Sequence, residues 1–117
     1  EWTLEAAEIE VAMDAEFFAL LKKLNVKTDN IETLLTHYES TDAEGMMRKI
    51  RSIESLSTIL SPMKQVEGGW APDFESRYFT EDFPFGLKFI ADLAHQHGVP
   101  TPTIDKVHEW GLSKVDL

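Results

Sequence analysis

The chain has 117 residues, of which 43% are hydrophobic, and it carries 21 acidic residues against 11 basic ones for a formal net charge of -10. This length suits one domain with its own core, and the charge argues against a nucleic-acid partner, which needs a basic face. There is no cysteine for a disulfide or a thiolate metal site, and no apolar run approaches the roughly 20 residues that span a bilayer. We therefore expect a cytoplasmic protein without a membrane or nucleic-acid partner.

The first part of the chain has the spacing of apolar residues that is typical of helices. From residue 3 to residue 24 apolar side chains recur every three or four positions, with acids early and lysines late, which suits the helix dipole. Thr3 is a fair N-cap for this helix. Asp29 or Asn30 is expected to cap a second helix that continues through Tyr38.

The middle of the chain combines a third helix with a long irregular segment. Asp42 is expected to cap a helix that carries Met46 and Ile50, and residues 55–60 either continue it or form a separate turn. Residues 61–76 break the pattern, and no strand is predicted there. The residues that interrupt it are Pro62, Gly68, Gly69 and Pro72. A loop of about 16 residues inside a compact domain is usually functional or disordered.

Two further helices are expected in the last third. One runs over residues 84–96 and stops at Gly98, and the other begins at a Thr103 cap after an extended VPTPT segment. The predicted fold is all-α: a compact bundle of about five or six helices in a single domain over residues 1–117, with one long Gly/Pro-rich loop.

The segment RYFTEDFP at residues 77–84 places charged residues among aromatic ones. One interpretation is structural, because Thr80 would be a hydroxyl cap, Glu81 and Asp82 would lie at the positive end of the dipole, and Pro84 would fall in the first turn. The alternative is that Glu81 or Asp82 turns inward to orient a substrate ammonium or a partner arginine.

Arg77 is the first residue of this segment, at the exit of the long Gly/Pro-rich loop and beside Tyr78 and Phe79. Its planar guanidinium suits a substrate carboxylate better than a lysine would. A salt bridge to Glu81 or Asp82 that ties the loop to the helix is the structural alternative, and the sequence does not choose between the two.

The histidines and glycines give weaker signals. His95 and His97 are two residues apart and face different ways on a helix, while His108 has no second ligand nearby, although Asp105 one turn earlier could orient its ring. The GGW turn that starts at Gly68 is not a phosphate-binding loop. We therefore expect no metal-binding and no cofactor-binding residue in this chain, and a direct catalytic role is disfavoured for each of its four histidines.

Residues 77–105, RYFTEDFPFGLKFIADLAHQHGVPTPTID, resemble the signature region of the C-terminal helical domain of the octopine and nopaline dehydrogenases, the opine dehydrogenase family. That pattern runs R-Y-x-T-E-D, an apolar residue, P, an aromatic residue and G, and after a helix G-V-P-T-P-T-I-D. Residues 9–26, IEVAMDAEFFALLKKLNV, are similar to the family helix that carries A-x-D-x-E.

The resemblance implies a two-domain oxidoreductase in which an N-terminal Rossmann domain binds NAD or NADP and the helical domain closes over it. The implied reaction is the reductive condensation of a 2-oxo acid with an amino acid. Arg77 would bind a substrate carboxylate, and the supporting residues of the loop and helix start would be Tyr78, Thr80, Glu81 and Asp82. The Rossmann domain is not in this sequence and the family's catalytic histidine is expected upstream of Glu1, so we expect this chain alone to be inactive.

A different reading is that the chain is a helical dimerisation or interaction module without a catalytic role. In that case the R-Y-x-T-E-D motif stabilises the fold, and Arg77 pairs internally. A homodimer is compatible with both readings, since helical domains of this type can carry subunit contacts.

Overall fold

The computed structural model describes residues 2–115. Its helices are α1 (Leu4–Lys23), α2 (Leu34–His37), α3 (Ala43–Ser52), α4 (Glu54–Ser57), α5 (Arg77–Thr80), a π-helical segment (Asp82–Leu87), α6 (Lys88–Gln96) and α7 (Pro102–Lys114), and its strands are β1 (Met63–Val66) and β2 (Gly69–Pro72). The predicted all-α class is confirmed. Within the described residues, four helices have nine residues or more and three α-helices are single turns.

Local caps behave as the sequence predicts at three helix ends. The Thr3 hydroxyl accepts a hydrogen bond from the backbone N–H of Ala6 at 3.1 Å, and the Asp42 carboxylate accepts one from Gly45 at 2.7 Å. Each bond satisfies a donor that the first turn of a helix leaves without a backbone partner. After α6, Gly98 has φ +69°, a left-handed conformation that favours glycine at a helix stop.

The predicted cap of the second helix is wrong. The helix is a single turn, and it is capped by Thr33, whose hydroxyl accepts a hydrogen bond from Thr36 at 3.2 Å, and not by Asp29 or Asn30. The backbone N–H of Leu34 donates to the carboxylate of Asp14 in α1 at 2.9 Å. A side chain 20 residues away therefore supplies part of the cap, and local sequence does not show it.

The irregular segment contains a β-hairpin, so the expectation of no strand is wrong there. β1 and β2 pair antiparallel, with Met63 opposite Pro72 and Val66 opposite Gly69. Gly68 lies in the turn between them and Gly69 is the first residue of β2, and their φ values are +87° and +150°. Two adjacent glycines let the chain reverse tightly enough to form the hairpin.

α1 is the centre of the structure because both hydrophobic clusters pack on it. Toward its N-terminus Ala7 packs with Met46 and Ile50 of α3. Toward its C-terminus Leu20 packs with Ala94 of α6 and with Val99 in the link to α7. α1 is therefore covered on different sides along its length.

The domain is open for its size. Its radius of gyration is 15.7 Å, whereas a compact domain of 117 residues has about 13 Å. Its accessible surface of 8469 Å² is about 2,000 Å² more than a folded monomer of this mass usually exposes. No helix in residues 2–115 is long and apolar enough to cross a membrane.

The start of α7 is held by α1, which corrects the predicted Thr103 cap. α7 begins at Pro102, and no side chain of its own caps it. Instead both oxygens of the Glu16 carboxylate accept from the N–H of Thr103, at 3.0 and 3.1 Å, and one of them also accepts from Ile104 at 2.9 Å. A carboxylate at this position also interacts favourably with the positive end of the helix dipole.

We predict that Glu16→Ala lowers the free energy of unfolding by about 1–2 kcal/mol, because two half-buried N–H groups of α7 lose their acceptor. Urea unfolding followed by circular dichroism measures the change. Glu8→Ala is the matched control, since Glu8 is an exposed residue of the same helix. Equal unfolding midpoints for the two variants would contradict the proposed role of Glu16.

Candidate functional site

The R-Y-x-T-E-D motif forms one short turn followed directly by the π-helical segment. Arg77 and Thr80 are the first and last residues of α5, and Asp82 begins the π-helical residues. The predicted cap by Thr80 is wrong, because Thr80 already lies inside a helical turn and Glu81 occupies the position before the π-helical segment without a side-chain cap. The expected helix over residues 84–96 is divided between this segment and α6.

Arg77 forms the internal salt bridge that the structural alternative predicts. Its Nη2 donates to Oε2 of Glu81 at 3.0 Å, one turn along the chain, and its side chain is 85% exposed. The hydrogen bond with Glu81 raises the pKa of Arg77. Solvent-exposed pairs of this kind are weak, so the guanidinium is available to exchange Glu81 for another anion.

A broad groove of about 1310 Å³ lies between the N-terminal half of α1, the motif and α7. Of the motif, Tyr78 and Asp82 line it, whereas Arg77 and Glu81 do not. Its other lining residues are Trp2, Glu5, Ala6, Ile9, Glu10, Met13, Phe79, Phe83, Gly86, Leu87, Pro102, Thr103, Lys106, Val107 and Trp110. Sequence reasoning missed the contributions of α1 and α7, because only the packing of distant helices brings them to the motif.

The groove is mostly apolar, with charges of both signs on its walls. α1 contributes Glu5 and Glu10, the motif contributes Asp82, and α7 contributes Lys106. Desolvation raises the pKa of Glu10, and the nearby Asp14 carboxylate raises it further. Such a surface can bind a small polar molecule between apolar walls and a few oriented charges.

The histidines are arranged differently from the prediction. Asp105 does not orient His108. Its carboxylate lies 3.0 and 3.1 Å from Nε2 of His95, and it accepts a hydrogen bond from the buried Thr101 hydroxyl at 2.9 Å. Within residues 2–115 Nε2 of His108 is buried without a hydrogen-bond partner. The described residues contain no group of three or more His, Asp or Glu that could hold a metal ion.

Comparison with known proteins identifies the family. Residues 1–114 match the model of the NAD/NADP octopine/nopaline dehydrogenase alpha-helical domain. The chain belongs to this family. The resemblance of the R-Y-x-T-E-D region is thus confirmed as a relationship that covers nearly all of the sequence.

The curated relatives are octopine, tauropine and opine dehydrogenases by name. Octopine dehydrogenase of Mizuhopecten yessoensis is 37% identical over 79 residues, which are 68% of this chain and 20% of that protein. Tauropine dehydrogenase of Arabella iricolor is 51% identical over 47 residues, 40% of this chain and 12% of that protein. The chain therefore spans about a fifth or less of the length of these curated relatives.

A solved structure confirms the fold. The structure of octopine dehydrogenase with NADH and pyruvate matches with a TM-score of 0.80 and 25% identity, over 96% of this chain and 29% of that one. A second structure of that enzyme, with NADH and L-arginine, matches with a TM-score of 0.73 and 26% identity, over 94% of this chain and 30% of that one. The opine dehydrogenase helical domain accordingly accounts for nearly the whole described chain.

An aromatic cluster holds the motif of this opine dehydrogenase domain against α7. The ring of Phe79 lies 5.3 Å from that of Phe83, 4.8 Å from Phe74 and 5.8 Å from Trp110. Contacts at these distances stabilise beyond the burial of their area. The cluster thus connects the base of the hairpin, α5, the π-helical segment and α7.

The cluster depends on a glycine in α7. A Cβ at Gly111 would lie 2.0 Å from Cδ1 of Phe83, so the ring occupies the space that a side chain would need. Phe83 is the neighbour of Asp82 in the π-helical segment. Gly111 therefore contributes to the position of the groove wall.

We predict that Gly111→Ala destabilises the protein by about 1–3 kcal/mol, because the added methyl group forces the Phe83 ring to move. Thermal unfolding measures the loss, and near-ultraviolet circular dichroism reports the environment of Trp110. Gly86→Ala is the control, since a Cβ at Gly86 meets no atom within 4 Å. If both variants unfold at the same temperature, Gly111 is not required for this packing.

Proposed function

We propose that this chain is the substrate domain of an NAD(P)-dependent opine-dehydrogenase-like oxidoreductase, and that the parent protein also has an N-terminal Rossmann domain. The observation that carries the proposal is that the family motif, through Tyr78 and Asp82, forms one wall of a polar-edged apolar groove. The match to the family over residues 1–114 supports it. In this proposal the chain binds substrate beside the Rossmann domain, and without that domain it does not convert substrate to product.

The proposed reaction joins two small molecules. The amino group of an amino acid attacks the carbonyl carbon of a 2-oxo acid, a C–N bond forms, and the carbonyl oxygen leaves as water to give an imine. A nicotinamide cofactor bound outside this domain would supply the hydride chemistry that reduces the C=N bond, and with one proton from solvent the product would be a secondary amine with an acid group from each substrate. A dry site protects the imine from hydrolysis.

In this proposal Arg77 binds the carboxylate of the 2-oxo acid. Its partner Glu81 is exposed and interacts weakly, so a bidentate carboxylate can replace it. Thr80 and Glu81 keep the turn in place. Tyr78 and Asp82 shape the groove, and Asp82 is the acid in the motif that is placed to orient the substrate amine.

Residues 2–115 do not fit a dinucleotide. The paired glycines Gly68 and Gly69 form the tip of a hairpin, and they do not lie between a strand and a helix as a phosphate-binding loop requires. We therefore assign cofactor binding to the Rossmann domain. The large uncovered surface supports a second domain that closes on this one, since the surplus of about 2,000 Å² exceeds the roughly 800 Å² that each partner of an ordinary interface buries.

The test is cofactor oxidation by the purified full-length parent protein, followed by absorbance. Pyruvate and other 2-oxo acids are offered with and without pooled amino acids. Oxidation that requires both substrates supports reductive condensation. Oxidation with the oxo acid alone indicates a simple 2-oxo acid reductase, and no oxidation favours the interaction module, whose expected internal Arg77–Glu81 pair is present.

We predict that Arg77→Ala in the parent protein raises KM for the 2-oxo acid about tenfold or more, because a charge-assisted bidentate contact is lost. KM for the cofactor and the melting temperature should change little. Arg48→Ala is the matched control, since Arg48 forms an equivalent exposed pair with Glu44 at 3.1 Å. A change in melting temperature with unaltered substrate kinetics would indicate a purely structural role for Arg77.

A further inference from the structure

Lys106 in α7 is an exposed lysine that lines the groove. It forms no salt bridge, hydrogen bond or ring contact with any residue between 2 and 115. The other positive side chains near the motif are engaged, since Arg77 pairs with Glu81 and Lys88 pairs with Asp92. The chain has 21 acidic residues and 11 basic ones, so the lack of an ion pair at Lys106 requires an explanation.

Two acids that contact the start of α7, Glu16 and Asp105, already have partners. Glu16 accepts hydrogen bonds from the N–H groups of Thr103 and Ile104 at the start of α7. Asp105, the preceding residue, is bound to His95 and Thr101. Neither of these carboxylates forms an ion pair with Lys106, and no other acid of residues 2–115 does, so its ammonium group is able to bind an anion from outside the domain.

Helix stability does not account for the lysine. Lys22 and Lys23 lie in the last turn of α1, and Lys49 lies in the last turn of α3, where a cation interacts favourably with the dipole. Lys106 is the fifth residue of α7, nearer the positive end, where a cation gains nothing from the dipole.

The charges of the groove also limit where an anion can bind. Glu5, Glu10 and Asp82 are the other ionisable carboxyl groups on its walls, and they repel a negatively charged ligand. Among the lining residues Lys106 is the single positive one. An anionic group in this groove is therefore attracted to the α7 wall.

We propose that Lys106 binds the carboxylate of the amino-acid substrate and so contributes to the choice of that substrate. The inference rests on the proposed function, in which both substrates are acids and Arg77 binds only the 2-oxo acid. Arg77 does not line the groove, so the carboxylate of a second acid inside this largely apolar groove needs a cation of its own. Lysine, as a compact point charge, places little demand on the orientation of that carboxylate.

The test uses the full-length parent protein with saturating 2-oxo acid and cofactor. Lys106→Ala should raise KM for the amino acid about tenfold, because an ionic contact is lost, and should leave KM for the 2-oxo acid within about twofold. Lys106→Arg should retain most of the affinity. Lys22→Ala is the matched control, because Lys22 is exposed, has no ion pair with the described residues and lies outside the groove.

A substrate analogue makes the assignment specific. The amino acid that gives the fastest turnover is compared with its primary carboxamide, in which CONH₂ replaces the carboxylate. The wild-type protein should prefer the acid in kcat/KM, and Lys106→Ala should lose about tenfold of that preference.

The outcomes separate the two proposals. If the wild-type protein oxidises cofactor only with both substrates and Lys106→Ala matches Lys22→Ala in KM and in preference for the acid, the role of Lys106 is overturned and the proposed function stands. If the wild-type protein shows no amine-dependent oxidation, both are overturned. A selective loss of the preference for the acid supports both.

Discussion

The structure depends on two carboxylates of α1 that bind the backbone of other helices. Asp14 accepts from the N–H of Leu34 and Glu16 accepts from those of Thr103 and Ile104. Residues two apart on a helix point about 200° from each other, so one short A-x-D-x-E segment fixes helices on opposite sides of α1. This explains why α1 is covered from more than one direction and why the domain has two hydrophobic clusters along it.

The geometry of the groove depends on the contact between Glu16 of α1 and the start of α7. Glu16 sets the start of α7, and the residues that α7 presents to the groove, including Lys106 and Trp110, follow from that position. The aromatic cluster connects α7 to the motif, because the Phe83 ring fills the space beside Gly111 and contacts Trp110. Phe83 directly follows Asp82 in the chain, so this packing also positions Asp82. The walls of the groove are thus connected through backbone caps and ring packing, neither of which involves the charges that would bind substrate.

Several local features were predictable from the sequence, although the hairpin and the Thr33 cap were missed, and features that depend on distant residues were not predictable. The caps by Thr3 and Asp42 and the stop at Gly98 involve partners within a few residues, so the sequence shows them. The start of α7 was misplaced because its donors bind a carboxylate of α1, 87 and 88 residues away. The start of α2 was misplaced although its Thr33 cap is local, and only its second acceptor, Asp14, is distant. The motif drew attention to Arg77 through its residue type, but the groove residues Glu10 and Lys106 have no signal in the sequence until helices pack around them.

The openness of the domain and the exposure of Arg77 have a common physical explanation in the proposed enzyme. An arginine that was buried here would require a permanent partner, since an unpaired buried charge is strongly unfavourable, and such a partner would compete with substrate. In the exposed pair with Glu81 the Arg77 guanidinium stays hydrated, and a substrate carboxylate can replace Glu81 as its partner. In the proposed enzyme the low dielectric that makes an ionic contact strong is supplied only when a second domain covers both the groove and the exposed Arg77 beside it. On this view Arg77 and Lys106 bind weakly in the open state and tightly in the closed one, so domain closure, rather than this domain alone, sets the affinity for both acids.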